Sequence, residues 1–182
     1  ATIINYGSAY IDSCTFTGNK GSTGAHIRNT NKPYKSLGYM RIQNSIFDAM
    51  VTSDTHNDVG IYDEGRSEIQ YSELRDGYQG TKSFNLQKLS NNLMKGTIRN
   101  THHPLHIKDS TVQDATILAD WLELEDTTVE NSPITVELKL YLTRAQITNV
   151  ATAVTLKPTT VRLEVIDSTI NATTNSIVSD GS

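Results

Sequence analysis

The 182-residue sequence predicts an all-β fold, a parallel β-helix of about eight coils that forms one domain over residues 1–182. Two observations predict this solenoid. A short pattern recurs along the chain at a period of about 20 residues, and each copy alternates apolar with polar residues as a half-buried strand does. The pattern reads apolar, any, apolar, any, any, small, any, apolar, and Asn, Asp or Ala often follows two residues later. Its clearest copies begin at Leu105 and Leu122, and copies at Leu140 and Leu163 continue it.

The last apolar residue of each copy is an anchor that aligns the coils. The anchors are Phe16, Phe47, Leu74, Leu93, Val112, Val129, Ile147 and Ile170. The fourth copy is the poorest, because Ile98 fits the pattern better than Leu93 but lies too close to Val112. A strand with one apolar face cannot bury that face alone, so we expect the coils to stack around a continuous apolar interior.

A second apolar strand follows most anchors, which predicts coils of two or three short strands. These segments are Val59–Ile61, Phe84–Leu86, Ile117–Leu118, Ile134–Val136, Val154–Leu156 and Ile177–Val178. The two longest anchor spacings predict loops at Gly18–Leu37 and Val51–Arg66, and loops on a rigid scaffold often carry binding residues. Cys14, the single cysteine, occupies the small position of the first copy, and we expect it to be a buried packing residue.

The repeats resemble the right-handed parallel β-helix of the pectate-lyase-like superfamily over about residues 9–178. The resemblance implies a right-handed coil. Known members of that superfamily bind or cleave polysaccharides along a comparable face, and pectate lyases use Ca²⁺ together with a basic residue. No lyase motif is complete in this chain, so the resemblance identifies no catalytic residue.

Residues at one coil position form a column, and the column six residues before the anchors mixes aromatic and charged side chains on the outside. It reads Tyr10, Arg41, Glu68, Gln87, His106, Glu123, Tyr141 and Glu164. Aromatic rings pack against the C–H faces of sugars and polar groups bind hydroxyls. The predicted glycan-binding residues are therefore Tyr10, Arg41, Glu68, His106, Glu123 and Tyr141. The alternative is a solvated strand face with cross-strand pairs such as Arg41–Glu68.

Three other features bear on binding or catalysis. The only tryptophan, Trp121, precedes an inward leucine, so it points outward as a sugar platform or covers a coil corner. Glu123 and Glu125 share one strand face and could lie about 6–7 Å apart, near the separations found for the paired carboxylates of glycoside hydrolases, although such spacing is common. In the column three residues before the anchors, we expect Arg144 to lie between two stacked carboxylates, Asp126 and Asp167.

The second long loop contains the weak candidates for a metal site, Asp54, Asp58 and Asp63. Carboxylates within a dozen residues can bind Ca²⁺ through oxygen ligands. Their spacing matches no EF-hand loop, and a merely hydrophilic loop is the alternative. No other cofactor is predicted.

The composition and the two ends of the sequence indicate which kinds of partner to expect. With 16 basic and 20 acidic residues the formal charge is −4, which argues against nucleic-acid binding. No long apolar run predicts a membrane span. The sequence lacks an initiator Met and a signal peptide, so we expect a segment of a longer chain. Neither end shows a capping helix, and an uncapped coil exposes unpaired strand edges. We therefore expect the rod to continue into flanking domains or to pack in an oligomer such as a homotrimer.

The sequence favours a non-catalytic module of an extracellular bacterial or phage protein, at the cell or virion surface. In this interpretation the module is a rigid stalk or a carbohydrate-binding domain whose partner is a polysaccharide or cell-surface glycan. One alternative is a polysaccharide lyase or glycoside hydrolase. Another is a structural spacer in a trimeric fibre.

Overall fold

The computed structural model describes residues 2–19, 25–30, 39–48, 50, 59–81 and 87–180 of the chain. These residues form eighteen strands and no helix. The strands are β1 (Ile3–Asn5), β2 (Ser8–Asp12), β3 (Thr15–Thr17), β4 (Ile27–Asn29), β5 (Tyr39–Gln43), β6 (Ile46–Asp48), β7 (Ile61–Asp63), β8 (Arg66–Gln70), β9 (Glu73–Leu74), β10 (Tyr78–Thr81), β11 (Gln87–Ser90), β12 (Leu93–Lys108), β13 (Thr111–Glu125), β14 (Thr128–Glu130), β15 (Ile134–Thr143), β16 (Gln146–Leu156), β17 (Arg162–Ile166) and β18 (Thr169–Ser179).

The strands pair in parallel from coil to coil and form a β-solenoid of about seven turns, close to the eight coils predicted. Each coil contributes one strand segment to each of three faces. Face A contains β2, β5, β8, β11, β17 and the last segments of β12, β13 and β15. Face B contains β3, β6, β9, β14 and the first segments of β12, β13, β16 and β18. Face C contains β1, β4, β7, β10 and the remaining segments. The right-handed sense of the coil stays a prediction.

Face A meets face B at a two-residue bend with the same backbone in every coil. The first bend residue has φ between 48° and 56° at Ser13, Asn44, Tyr71, Asn91, Asp109, Asp126, Arg144 and Asp167. The second is the small residue of the repeat. The Ser45 hydroxyl, for example, donates to the Gln43 carbonyl at 2.7 Å and accepts from the Cys14 N–H at 3.2 Å. A small polar residue is therefore favoured here because its hydroxyl supplies partners for backbone groups that the bend removes from the strand ladder.

The anchors and the apolar residues of faces A and C point into one continuous core. Phe47, Leu74, Val112, Val129 and Ile147 are each at most 1% exposed. Burying a side chain of this size contributes about 1.5–3 kcal/mol, so stacked columns of such residues account for the stability of the rod.

The fourth anchor is Met94, and the prediction of Leu93 was wrong by one residue. Met94 pairs with Leu74 and Val112, whereas Leu93 points outward beside Glu73. Two adjacent apolar residues leave the phase of a strand open, because either can face the core. The correction moves the fourth member of the outward column from Gln87 to Lys88.

The coil that precedes Met94 also differs from expectation. Its face C strand is β10, which follows a tight turn that ends at Gly77. The strand predicted at Phe84–Leu86 lies outside the described residues. Gly77 has φ of 81°, and a Cβ there would approach the Thr97 carbonyl oxygen to 2.5 Å, so only glycine fits the turn. Ile98 belongs to face C, between Tyr78 and Ile117, and is not an anchor.

Two further expectations need correction. The predicted loop at Gly18–Leu37 is interrupted by the face C strand β4, which was not predicted, whereas β7 within Val51–Arg66 overlaps the predicted strand at Val59–Ile61. Segments 20–24, 31–38 and 51–58 of these regions lie outside the described residues. Cys14 is exposed rather than buried, because only one neighbouring coil covers its column in the first coil. Within the described parts of the chain, no helix is long and apolar enough to cross a membrane.

Candidate functional site

The outward column predicted from the repeat is a real column of face A. Backbone pairing places Tyr10, Arg41, Glu68, Lys88, His106, Glu123, Tyr141 and Glu164 side by side on successive coils. All six predicted glycan-binding residues therefore share one surface of the rod. That these residues bind a ligand stays a prediction.

The aromatic side chains of face A lie against cations. The Arg41 guanidinium is 6.0 Å from the ring centre of Tyr10, and Arg162 is 5.2 Å from that of Tyr141. Trp121 is half-buried at the start of its face A segment, and the Lys139 ammonium is 4.1 Å from its ring centre. These contacts are cation–π interactions that stabilise the surface and occupy part of each ring.

The predicted cross-strand pair between Arg41 and Glu68 is not an ion pair. The two residues are neighbours in the column, but Glu68 instead contacts the Arg66 guanidinium at 3.4 Å and the Tyr39 hydroxyl at 3.4 Å. Both contacts are long for hydrogen bonds, so the Glu68 carboxylate keeps most of its capacity to accept.

Two depressions indent face A. The first, of about 270 Å³, is lined by Glu68, Gln70, Leu89, Ser90, His106 and Lys108. The second, of about 250 Å³, is lined by His106, Glu123, Leu124, Glu125, Tyr141 and Thr143. His106 lines both, so the depressions are adjacent. Four of the six predicted residues line them. On the same face, Arg41 lies one coil beyond Glu68 and Tyr10 lies two coils beyond it.

Glu125 is the centre of an ion-pair cluster beside the second depression. Its carboxylate is 2.8 Å from the Lys108 ammonium, 3.1 Å from the Arg144 guanidinium and 3.3 Å from the His106 ring nitrogen. The hydrogen bond from Lys108 is the main cause that lowers the pKa of Glu125 below its usual value. A carboxylate held ionised in this way is poorly suited to act as the general acid of a glycoside hydrolase.

Arg144 pairs with one of its two expected carboxylates. Its Nε is 2.5 Å from Asp126 Oδ1 and its Nη2 is 2.7 Å from Asp126 Oδ2, a bidentate arrangement that lowers the pKa of Asp126. Asp167, the expected second partner, has no such contact among the described residues.

Of the weak metal candidates, Asp54 and Asp58 lie outside the described residues. Asp63 is fully buried and points into the solenoid, where its oxygens accept hydrogen bonds from Asn29 at 2.7 Å and from Tyr78 at 2.9 Å. The described part of the chain contains no group of three or more His, Cys, Asp or Glu residues arranged to bind a metal.

The sequence pattern missed a buried pair formed by His26 and Asp76. His26 Nε2 is 2.7 Å from Asp76 Oδ2, and the same oxygen accepts the Met50 N–H at 3.0 Å. Asn19 contacts the other ring nitrogen of His26 at 2.8 Å. The pair links residues fifty positions apart, so no local spacing could have indicated it. The pair and its partners connect the residues on both sides of segment 20–24, Asn19 and His26, with Met50, which precedes segment 51–58.

Comparison with known proteins adds no relative. No protein-family model matches the sequence, and neither a curated protein nor a solved structure matches it.

Proposed function

We propose that this chain is a rigid β-solenoid module of an extracellular or surface protein, of bacterial or phage type, that binds a carbohydrate on face A. The observation that carries the proposal is the pair of adjacent depressions lined by Glu68, His106, Glu123 and Tyr141. Binding sites for sugars need a few polar groups placed on a rigid surface beside an aromatic ring, and face A supplies both.

A polysaccharide-active enzyme is the less favoured alternative. The predicted carboxylate pair of Glu123 and Glu125 contains one member, Glu125, that is held by three cationic or imidazole groups and whose pKa is lowered. A general acid needs a raised pKa, so Glu125 is not suited to that role.

A structural spacer is the second candidate, and the cations over Tyr10, Trp121 and Tyr141 favour it. In that role the outward side chains of face A serve only to stabilise each other across coils. The two candidates differ in one measurable property, since a spacer has no ligand.

Retention on an array of immobilised glycans tests the proposal. Tyr141→Ala removes the ring that lines the second depression, and we expect at least a ten-fold loss of retention with little change in melting temperature. Tyr6→Ala removes an exposed tyrosine outside face A and is the matched control. If the wild-type chain is retained by no glycan, or if both variants lose retention equally, carbohydrate binding on face A is wrong and the spacer is favoured.

A further inference from the structure

The two depressions of face A lie in line along the rod. The first is centred on the coil of Leu89 and Ser90, and the second on the coil of Glu123 and Leu124. One coil, that of His106, separates the two centres. Because stacked strands lie about 4.8 Å apart, the centres are about 10 Å apart.

The first depression exists because Ser90 is small. Its outward column contains Gln43, Gln70, Ser90, Lys108 and Glu125 on successive coils. The Gln43 amide donates to Gln70 at 3.1 Å, and the Gln70 amide donates to the Ser90 hydroxyl at 3.3 Å. The row of long side chains is thus interrupted at Ser90. Thr143 is the next short side chain in this column and lines the second depression.

Each depression contains a carboxylate that is not committed to a strong partner. Glu123 has no hydrogen bond or ion pair among the described residues. Within the described part of the chain, Glu68 has only the two 3.4 Å contacts with Arg66 and Tyr39. An ionised carboxylate accepts hydrogen bonds and donates none, so these groups suit ligand hydroxyls.

The charge of the lining opposes an anionic ligand. Among the described residues that line the depressions, Glu68, Glu123 and Glu125 face one ammonium group, that of Lys108. That ammonium is already 2.8 Å from Glu125. The Arg144 guanidinium next to this lining is likewise 3.1 Å from Glu125. Like charges at short range repel, so a chain of uronic acids would meet the carboxylates of Glu68 and Glu123 here.

We propose that the two depressions are adjacent subsites for one neutral, linear glycan that runs along the rod axis. The inference rests on the proposed carbohydrate binding and adds the class of glycan and its direction. Successive sugars of an extended chain advance by about one strand spacing, so every second sugar reaches a depression. A trisaccharide is then the shortest ligand that fills both, and His106 contacts it between them.

Calorimetric titration with chain-length series tests this arrangement. The neutral probes are cello-, chito- and manno-oligosaccharides of one to six sugars, and the anionic probes are oligogalacturonates of the same lengths. For at least one neutral series we expect the trisaccharide to bind at least ten-fold more tightly than the disaccharide, because the second subsite is engaged within one complex. We expect no binding of oligogalacturonates.

Ser90→Gln fills the first depression without disturbing the fold, because a glutamine there continues the amide row of Gln43 and Gln70. We expect this variant to bind the trisaccharide no better than the disaccharide, because only the second subsite stays open. Thr143→Gln fills the second depression and should have the same effect. Thr148→Gln, on face B, is the matched control and should bind as the wild type does.

The outcomes separate the two proposals. Binding that does not depend on chain length, or that Ser90→Gln leaves intact, overturns the paired subsites while carbohydrate binding stands. Binding of oligogalacturonates without binding of any neutral series overturns the neutral glycan. The absence of retention by every glycan on the array overturns both proposals together.

Discussion

At the scale of single residues, Asp63 is a carboxyl group held inside the solenoid. It is fully buried and is surrounded by donors, with the Gly65 N–H at 2.9 Å in addition to Asn29 and Tyr78. Burial is the largest influence and raises the pKa of Asp63 above its ordinary value of 3.8, although hydrogen bonds from Ser67 and Asn29 offset part of the shift. Asp63 therefore continues a polar column of Asn5 and Asn29, at a position where burial disfavours the ionised form.

The raised pKa predicts a sign for the pH dependence of stability. Between the unfolded pKa and the higher folded pKa the native state binds more protons, so the contribution of Asp63 to the free energy of unfolding falls as pH rises. Asp63→Asn removes this titration and keeps an acceptor for Asn29 and Gly65. We expect the variant to be more stable than the wild type at pH 7, with a difference that shrinks towards pH 3.

Urea unfolding monitored across that pH range checks the prediction. Asp167→Asn controls for the loss of one negative charge on an exposed bend. A stability loss in Asp63→Asn at neutral pH would show instead that the ionised carboxylate and its donors stabilise the native state.

At the scale of elements, the bend between faces A and B explains the small and polar positions of the repeat. A left-handed backbone is tolerated by Gly, Asn and Asp and costs other residues about 1–2 kcal/mol. Five of the eight first bend residues are Asn or Asp, and Tyr71 is the bulkiest exception, with φ of 51°. Its side chain is 59% exposed, so packing does little to offset the backbone cost.

Tyr71→Asn should therefore stabilise the fold. We expect a gain of about 0.5–1 kcal/mol in the free energy of unfolding, since asparagine tolerates the left-handed region. Tyr6→Asn is the matched control, because Tyr6 is also exposed but does not have a positive φ. Equal changes in the urea midpoints of the two variants would mean that backbone strain at Tyr71 contributes nothing.

At the scale of the whole molecule, each coil is covered by its neighbours and not by a central core element. Leu140 and Leu163 occupy the same column on successive coils. Leu140 is 0% exposed, whereas Leu163 in the last described coil is 40% exposed. In a stacked architecture the free energy of unfolding is a sum of contributions from the coils and from the interfaces between them. The same residue type therefore contributes more in an inner coil than in a terminal one.

Alanine at these two positions measures that difference. We expect Leu140→Ala to cost about 2–5 kcal/mol, because it leaves a cavity between two coils. Leu163→Ala should cost less than half as much, since the side chain is already partly in water. Urea unfolding of the 182-residue chain gives both values, and equal losses would contradict nearest-neighbour stacking.

The candidate site was predictable in part. The column that contains Tyr10, Glu68, Glu123 and Tyr141 follows from the repeat alone, because residues at one coil position must lie side by side. The depressions were not predictable, since they depend on Ser90 and Thr143 being short next to longer neighbours in a different column. The predicted ion pairs were only partly right, because they too depend on the side chains that surround each charged group. Long side chains choose among several neighbours, as Glu68 shows by meeting Arg66 and not Arg41.

By itself the sequence determined the all-β solenoid, the spacing of its coils and the division of each strand into inward and outward residues. These are consequences of local periodicity, which a single strand already contains. Only the tertiary structure decided the register at Met94, the exposure of Cys14 and the partners of Arg144. It alone also placed Asp63 inside, in contact with Asn29 and Tyr78. Each of these depends on which groups the neighbouring coil brings within a few ångströms, and residues far apart in the chain supply those groups.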